Sequence, residues 1–223
     1  MTDDKSMKYK LVLFDLDGTL LDTLDDLSEA VNHAMRLRGF PLHTRDEYMK
    51  MVGNGVRYLV LRALPDEQKG DEALLDAALA DFRTFYTAHI DVHTHPYPGM
   101  QELVRELNLR GVRMAIASNK FQEGTEYLVK KFFPGIPFVA VLGNRPGFPL
   151  KPDPGIVQEV LQKTGLTQAE ALMVGDSPTD MKTAENGGIQ GIAVSWGYRP
   201  MKGTPNLIVV DSAENLMYQI AFK

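Results

Sequence analysis

The chain has 223 residues, 44% of them hydrophobic and 24% charged, enough to bury its own core as one large domain or as a main domain with a smaller companion. It contains no cysteine, which excludes thiolate catalysis, Cys-ligated metals and structural disulfides. Lys and Arg number 24 against 29 Asp and Glu, a net charge of -5, and no basic block offers a nucleic-acid stripe, so any phosphate ligand must be met by a local site.

The first six residues, Met1 to Ser6, are polar and acidic, and the apolar run from Leu11 is broken at Asp15 and Asp17, unlike a signal peptide. No apolar stretch reaches the ~18 residues needed to span a bilayer, so the expectation is a soluble, cytoplasmic protein. Leu11-Val12-Leu13-Phe14 reads as a short strand buried on both faces of a parallel sheet. Residues 23–95 carry only helical pattern, with one stripe of Leu27, Ala30, Val31 and Ala34 and another of Leu74, Ala78, Phe82 and Phe85. Pro96-Tyr97-Pro98-Gly99 closes this insertion. His93 and His95, beside Pro96 and without a third ligand nearby, read as a hinge linker rather than a metal pair.

Beyond residue 100, strand and helix alternate. Helical spacing predicts helices over 100–109, 122–132, 155–164, 178–186 and 213–221, and apolar runs predict strands over 112–117, 138–142, 171–174, 189–194 and 207–210. The expected fold is α/β, a doubly wound, mainly parallel, Rossmann-like sheet built from residues 1–22 and 96–223, with an all-helical insertion at 23–95. Ligands of such sheets bind at the carboxyl ends of the strands.

Asp15-Leu16-Asp17-Gly18-Thr19 follows the first strand directly. Alternation in an extended segment points Asp15 and Asp17 the same way, and Gly18 permits a sharp turn beneath a ligand. Two carboxylates so placed suit a divalent cation, or a division of labour between nucleophile and general acid; a solvated Asp-Gly turn is the plain alternative. Uniform residue odds produce Asp-x-Asp-Gly-Thr in roughly one chain in a thousand of this length, which favours a functional site.

The segment from Asp15 to Thr23, Asp-Leu-Asp-Gly-Thr-Leu-Leu-Asp-Thr, resembles the first motif of the haloacid-dehalogenase-type phosphohydrolase superfamily. The later motifs of that family can be matched in order. Ser118-Asn119-Lys120 follows the 112–117 strand as the second does, Lys151-Pro152-Asp153-Pro154 resembles the third, and Gly175-Asp176-Ser177-Pro178-Thr179-Asp180 resembles the fourth. Each has a local alternative: Ser177, Pro178 and Asp180 also form a capping-box-like helix start, Lys151 reads as a loop lysine, and Ser118 and Asn119 as turn residues. Capping and catalysis are compatible, because a helix start aims its amides at an anionic site.

The resemblance implies a Mg²⁺-dependent phosphatase acting on a small phosphorylated metabolite, with no nucleic-acid, membrane or obligate protein partner. It implies Asp15 as nucleophile and Asp17 as general acid and base. Asp15, the Asp17 carbonyl and Asp176 would hold Mg²⁺, with Asp180 assisting behind them, and Ser118, the Asn119 amide and Lys151 would bind phosphoryl oxygens. The helical insertion falls where the family carries a cap domain. Its segment Met51-Val52-Gly53-Asn54-Gly55-Val56-Arg57 is similar to a cap loop of phosphoglycolate phosphatase-like members, which implies that Arg57 meets a second charged group of the substrate; a solvated surface arginine is the alternative. Trp196, Tyr198 and Arg199 either line the pocket or pack. Two other functions share much of this pattern. A sugar phosphomutase of the same superfamily would return the phosphoryl group to bound substrate. A phospho-receiver signalling module would also use Mg²⁺ and an acidic pocket, but it phosphorylates an Asp on a later central strand, where this chain has Ser118 and Asn119.

Overall fold

The computed structural model describes residues 7–199, 201 and 203–222, so the polar amino-terminal run read above lies outside the described residues. Strand β1 (Leu11–Phe14) is fully buried along its length. Its side chains supply both halves of the core: Val12 and Phe14 join one hydrophobic cluster, Leu11 and Leu13 the other. A strand with helices on both faces has no solvent side, and this is why its sequence is a continuous apolar run rather than an alternating one.

Parallel neighbours flank β1 on both edges, β4 (Arg113–Phe121) on one and β6 (Ala171–Gly175) on the other, with Phe14 in register with Ile116 and Val174. β5 (Ala140–Asn144) lies beyond β4, and β7 (Gln190–Val194) and β8 (Ile208–Val210) lie beyond β6, in the order β5-β4-β1-β6-β7-β8. Helices α5 (Met100–Leu109), α6 (Gln122–Phe132) and α9 (Ala213–Ala221) cover one face through Leu103, Val104, Leu128, Leu216 and Ile220. On the other face, α7 (Gly155–Thr164) and α8 (Pro178–Gly187) contribute Val157, Val160 and Ala184. The chain builds outward from β1 to β5 and then returns to the opposite edge, so strand order reverses around β1 and opens a crevice at the carboxyl ends of β1, β4 and β6.

Four helices, α1 (Leu24–Arg36), α2 (Arg45–Met51), α3 (Val56–Ala63) and α4 (Glu72–His89), form the insertion. α1 buries Leu24, Leu27, Ala30, Val31 and Ala34, as its periodicity predicts. The buried stripe of α4 is Leu75, Ala78, Phe82 and Tyr86, so Ala78 and Phe82 face inward as expected while Leu74 and Phe85 are only half-buried at its margins. One expectation needs correction. The span read as purely helical ends in β3 (His95–Pro96), which pairs antiparallel with β2 (Leu21–Asp22) at the entry to the insertion. Two-residue strands carry no periodicity, so sequence pattern has nothing from which to read them.

The root of the insertion is held by Asp26, 2% exposed. Its carboxylate accepts hydrogen bonds from the His93 N–H (2.9 Å), the Thr94 N–H (2.8 Å) and the Thr94 hydroxyl (2.7 Å). His95 Nδ1 contacts the His93 carbonyl and His93 Nε2 lies 3.7 Å from Glu29. No helix among the described residues is long and apolar enough to cross a membrane.

Candidate active site

β1 delivers Asp15 to the crevice as it ends, with the Asp15 N–H still donating to the Val174 carbonyl at 2.9 Å. The chain then turns at Gly18, whose φ is +82°. A Cβ there would stand 2.5 Å from Asp176 Oδ2, so both the backbone conformation and the approach of Asp176 require glycine. β4 delivers Ser118, Asn119 and Lys120, all buried. Asn119 then ties its strand to the loop before α7, donating from Nδ2 to the Lys151 carbonyl (3.1 Å) and accepting from the Lys151 N–H (2.8 Å).

Lys151 reaches into the centre. Its ammonium lies 2.9 Å from Asp15 Oδ1 and 2.6 Å from Asp180 Oδ1, with its side chain 2% exposed. Asp180 closes a capping box at the start of α8, where its Oδ2 accepts from the Ser177 N–H (3.1 Å) and hydroxyl (2.6 Å). The capping reading of this motif is therefore realised, and it leaves Asp176 unexplained. Asp176 is buried at the end of β6 and accepts the Tyr198 N–H at 2.7 Å. Gly197 packs against Asp176 and the Gly18 carbonyl too closely for any side chain.

Asp15, Asp176 and Asp180 bring carboxylate oxygens within 4.8 Å of one another. Three carboxylates thus crowd together, and two of them, Asp15 and Asp180, pair with one ammonium. Burial, then the Asp180 and Asp17 charges, push the Asp15 pKa up to about 7 against the pull of Lys151. Burial, then Asp180 and Asp15, raise Asp176 well above the usual carboxylate range. Burial works against the Lys151 ammonium, yet Asp15 and Asp180 hold its pKa above the ordinary lysine value. Such a set is relieved either by protons or by a hard cation, and an all-oxygen donor set suits Mg²⁺, Ca²⁺ or Mn²⁺. Both oxygens of Asp180 are already engaged, whereas Asp15 Oδ2 and Asp176 Oδ1 accept no hydrogen bond from the described residues. The residues present therefore fit a divalent cation held mainly by Asp15 and Asp176, with Asp180 steadying Lys151.

The Asp17 carboxylate is not part of this three-acid cluster and has other partners. Oδ1 accepts from the Thr23 hydroxyl at 2.7 Å, and the Lys120 ammonium spans Oδ1 and Oδ2 at 3.1 and 3.3 Å. Asp15 and Asp17, Ser118, Asn119, Lys151 and Asp176 line one cavity, roofed by Val52, Gly53, Gly55 and Val56 of the insertion.

Arg57, expected from its loop's resemblance to meet the substrate, does not line this cavity. Its side chain is 48% exposed, and its guanidinium pairs with Glu72 and Asp76 on α4. α3 turns Val56, Leu59 and Val60 inward, and Arg57, one residue past Val56, is rotated about 100° away toward the acidic flank of α4. The arginine at the cavity is Arg199, whose guanidinium lies against Gly53 and donates to the Lys50 carbonyl at 2.9 Å. Sequence pattern named Lys120 within the second motif without giving it a role, and it did not single out Tyr86 of α4, which also lines the cavity, because nothing in a helical stripe distinguishes a tyrosine that packs from one that reaches a polar site.

A sequence profile of the haloacid dehalogenase-like hydrolase family matches residues 12–194. Among curated relatives, a phosphoglycolate phosphatase of Pseudomonas putida is 35% identical over 93% of this chain and 78% of its own length. Another, from Vibrio parahaemolyticus, is 32% identical over 95% of this chain and 96% of its own. The crystal structure of a predicted phosphoglycolate phosphatase from Haemophilus somnus superimposes with a TM-score of 0.86 at 28% identity, covering 95% of this chain and 98% of that one. The receiver-module alternative does not survive these matches. The chain belongs to the haloacid dehalogenase-like hydrolase family, and within it is a phosphoric monoester hydrolase.

Proposed function

We propose that the chain hydrolyses a small phosphoglycolate-like monoester through an aspartyl-phosphate intermediate, with Mg²⁺ held by Asp15, Asp176 and the Asp17 carbonyl. The observation that carries this reading is the position of Asp15, buried against the Lys151 ammonium with one carboxylate oxygen left without a donor among the described residues. Phosphate monoesters resist hydrolysis because attack brings negative charge onto a dianion, so catalysis consists mainly of charge neutralisation and positioning. The cation, when bound, supplies Lewis-acid neutralisation of the phosphoryl oxygens.

The residues then divide the work. The Ser118 hydroxyl, the Asn119 N–H and Lys151 bind phosphoryl oxygens. Asp15 attacks phosphorus, the bond to the leaving oxygen breaks, and Asp17 gives that oxygen its proton. Asp17, now ionised, takes a proton from water, which attacks the same phosphorus and breaks the bond to Asp15. Alcohol and inorganic phosphate are the products, and both aspartates return to their starting state.

The helices at 23–95 serve as a cap over residues 1–22 and 96–223, and the loop at Gly53 and Gly55 lies over the cavity, placed to limit bulk water once substrate is bound. A carboxylate on the substrate is assigned to Arg199, which, like Arg62 beside it, pairs with no acidic side chain among the described residues. Burial, and then the charge of Arg199, lower the Arg62 pKa, so the pair favours an anion nearby.

The test is a panel of phosphorylated metabolites and p-nitrophenyl phosphate, with and without EDTA. Turnover of a phosphorylated acid that chelation abolishes supports the reading; chelator-insensitive turnover, or none across the panel, overturns it. Dependence on a bisphosphate activator would show a phosphomutase instead. Arg199→Ala should cost ~10- to 100-fold in kcat/KM for phosphoglycolate, the scale of one charge-assisted hydrogen bond, and Arg57→Ala less than about twofold.

A further inference from the structure

The ammonium of Lys120 is one of the most enclosed charges in the molecule, with its side chain 3% exposed. It is reached from two directions. Asp17 lies on one side at 3.1 Å, and on the other the hydroxyl of Tyr86 stands 2.6 Å away. Tyr86 belongs to α4 of the insertion, and its ring cannot wander: it stacks on Phe82 with centroids 5.2 Å apart and meets Phe121 edge-on at 6.0 Å. The Lys120 backbone is held too, its N–H donating to Ser118 Oγ at 3.2 Å. A lysine stem has four rotatable bonds and loses much entropy on ordering, so an ammonium fixed at both ends holds its partner carboxylate in one orientation.

We infer that Lys120, seated by Tyr86, is a positioning residue that holds the Asp17 carboxyl group where it exchanges a proton with the leaving oxygen, so that helix α4 of the insertion takes part in the chemical step. Lys151 already serves Asp15 and Asp180, and Lys120 is the ammonium that reaches Asp17 among the described residues. The Thr23 hydroxyl fixes one oxygen of Asp17 only, whereas Lys120 spans both. This inference rests on the reading of Asp17 as acid and base.

Single-turnover release of the leaving group tests it. An alkoxide cannot leave without a proton, while p-nitrophenolate can, so a fault in placing Asp17 is felt by one substrate and hardly by the other. Lys120→Met should slow release of an unactivated alcohol by ~10- to 100-fold and of p-nitrophenol by less than about threefold, with KM for both nearly unchanged. Lys120→Arg should recover part of the loss. Tyr86→Phe keeps the packed ring and removes only the hydroxyl; it should give the same selectivity at ~3- to 10-fold, and it carries the test should Lys120→Met fail to fold. Equal losses on both substrates, or a loss confined to KM, would overturn the inference. Asp17→Asn separates the two levels: if it shows the leaving-group split and the Lys120 and Tyr86 variants do not, only the inference fails, and if Asp17→Asn slows both substrates equally, the acid-base reading fails with it.

Discussion

Two buried carboxylate sites flank the start of the insertion, one built around Asp15 and the other on Asp26. At the strand ends, Asp15, Asp176 and Asp180 crowd together around a single ammonium. At the root of the insertion, Asp26 stands alone and receives two backbone N–H groups and a hydroxyl. The first set carries more negative charge than its surroundings balance, and the second is fully satisfied by neutral donors. A buried acid whose partners are complete fastens two segments together, whereas crowded acids with incomplete partners call for a proton or a cation to offset their charge. Burial alone would not separate them, since Asp26 is 2% exposed and Asp176 3%.

The sharpest way to break this contrast is Asp15→Asn. Turnover should fall by at least about four orders of magnitude, because a carboxamide of the same size does not attack phosphorus. The same change removes one charge from the crowded set, so thermal unfolding in EDTA should shift upward. A variant that keeps wild-type rates would take Asp15 out of the nucleophile's role. Asp26→Ala should behave in the opposite way, losing about 2–4 kcal/mol in denaturant unfolding by stranding its buried donors, while the residual folded enzyme keeps its preference among leaving groups.

A smaller effect follows from pH. In the folded chain Asp15 binds its proton up to about 7, against 3.8 as its ordinary value. Between those limits the native state holds more protons than the unfolded one, so stability is highest below about pH 4 as far as this group is concerned and falls as pH rises toward 7. The slope for one such group is at most about 1.4 kcal/mol per pH unit. Unfolding midpoints in EDTA across this range measure it, and added Mg²⁺ should flatten the slope by favouring the ionised carboxylates. A slope unchanged by Mg²⁺ would remove the distinction between the crowded acids and Asp26.

The sequence by itself determined the order of the six parallel strands and the helices between them, and it placed a set of acidic and polar residues at the strand ends. Short continuous apolar runs bounded by turn residues suit strands covered on both faces, and the side chains proposed to act are written beside those runs: Asp15 and Asp17 after β1, Ser118 and Asn119 towards the end of β4, Asp176 after β6. Local backbone sterics and burial are enough to bring such residues to one edge of a sheet. What the tertiary structure decided is which side chains complete the site from a distance. Lys120 reaches Tyr86 across 34 positions of chain, and Tyr198 accepts the Thr23 N–H across 175. Arg57, placed by its loop's resemblance beside the substrate, turns instead to Glu72 and Asp76, while Arg199 takes a position at the cavity from beyond β7. Helical periodicity tells which face is buried, but not what that face meets. The orientation of a long polar side chain is set by the partners that packing brings within reach, and those partners lie far away in the chain.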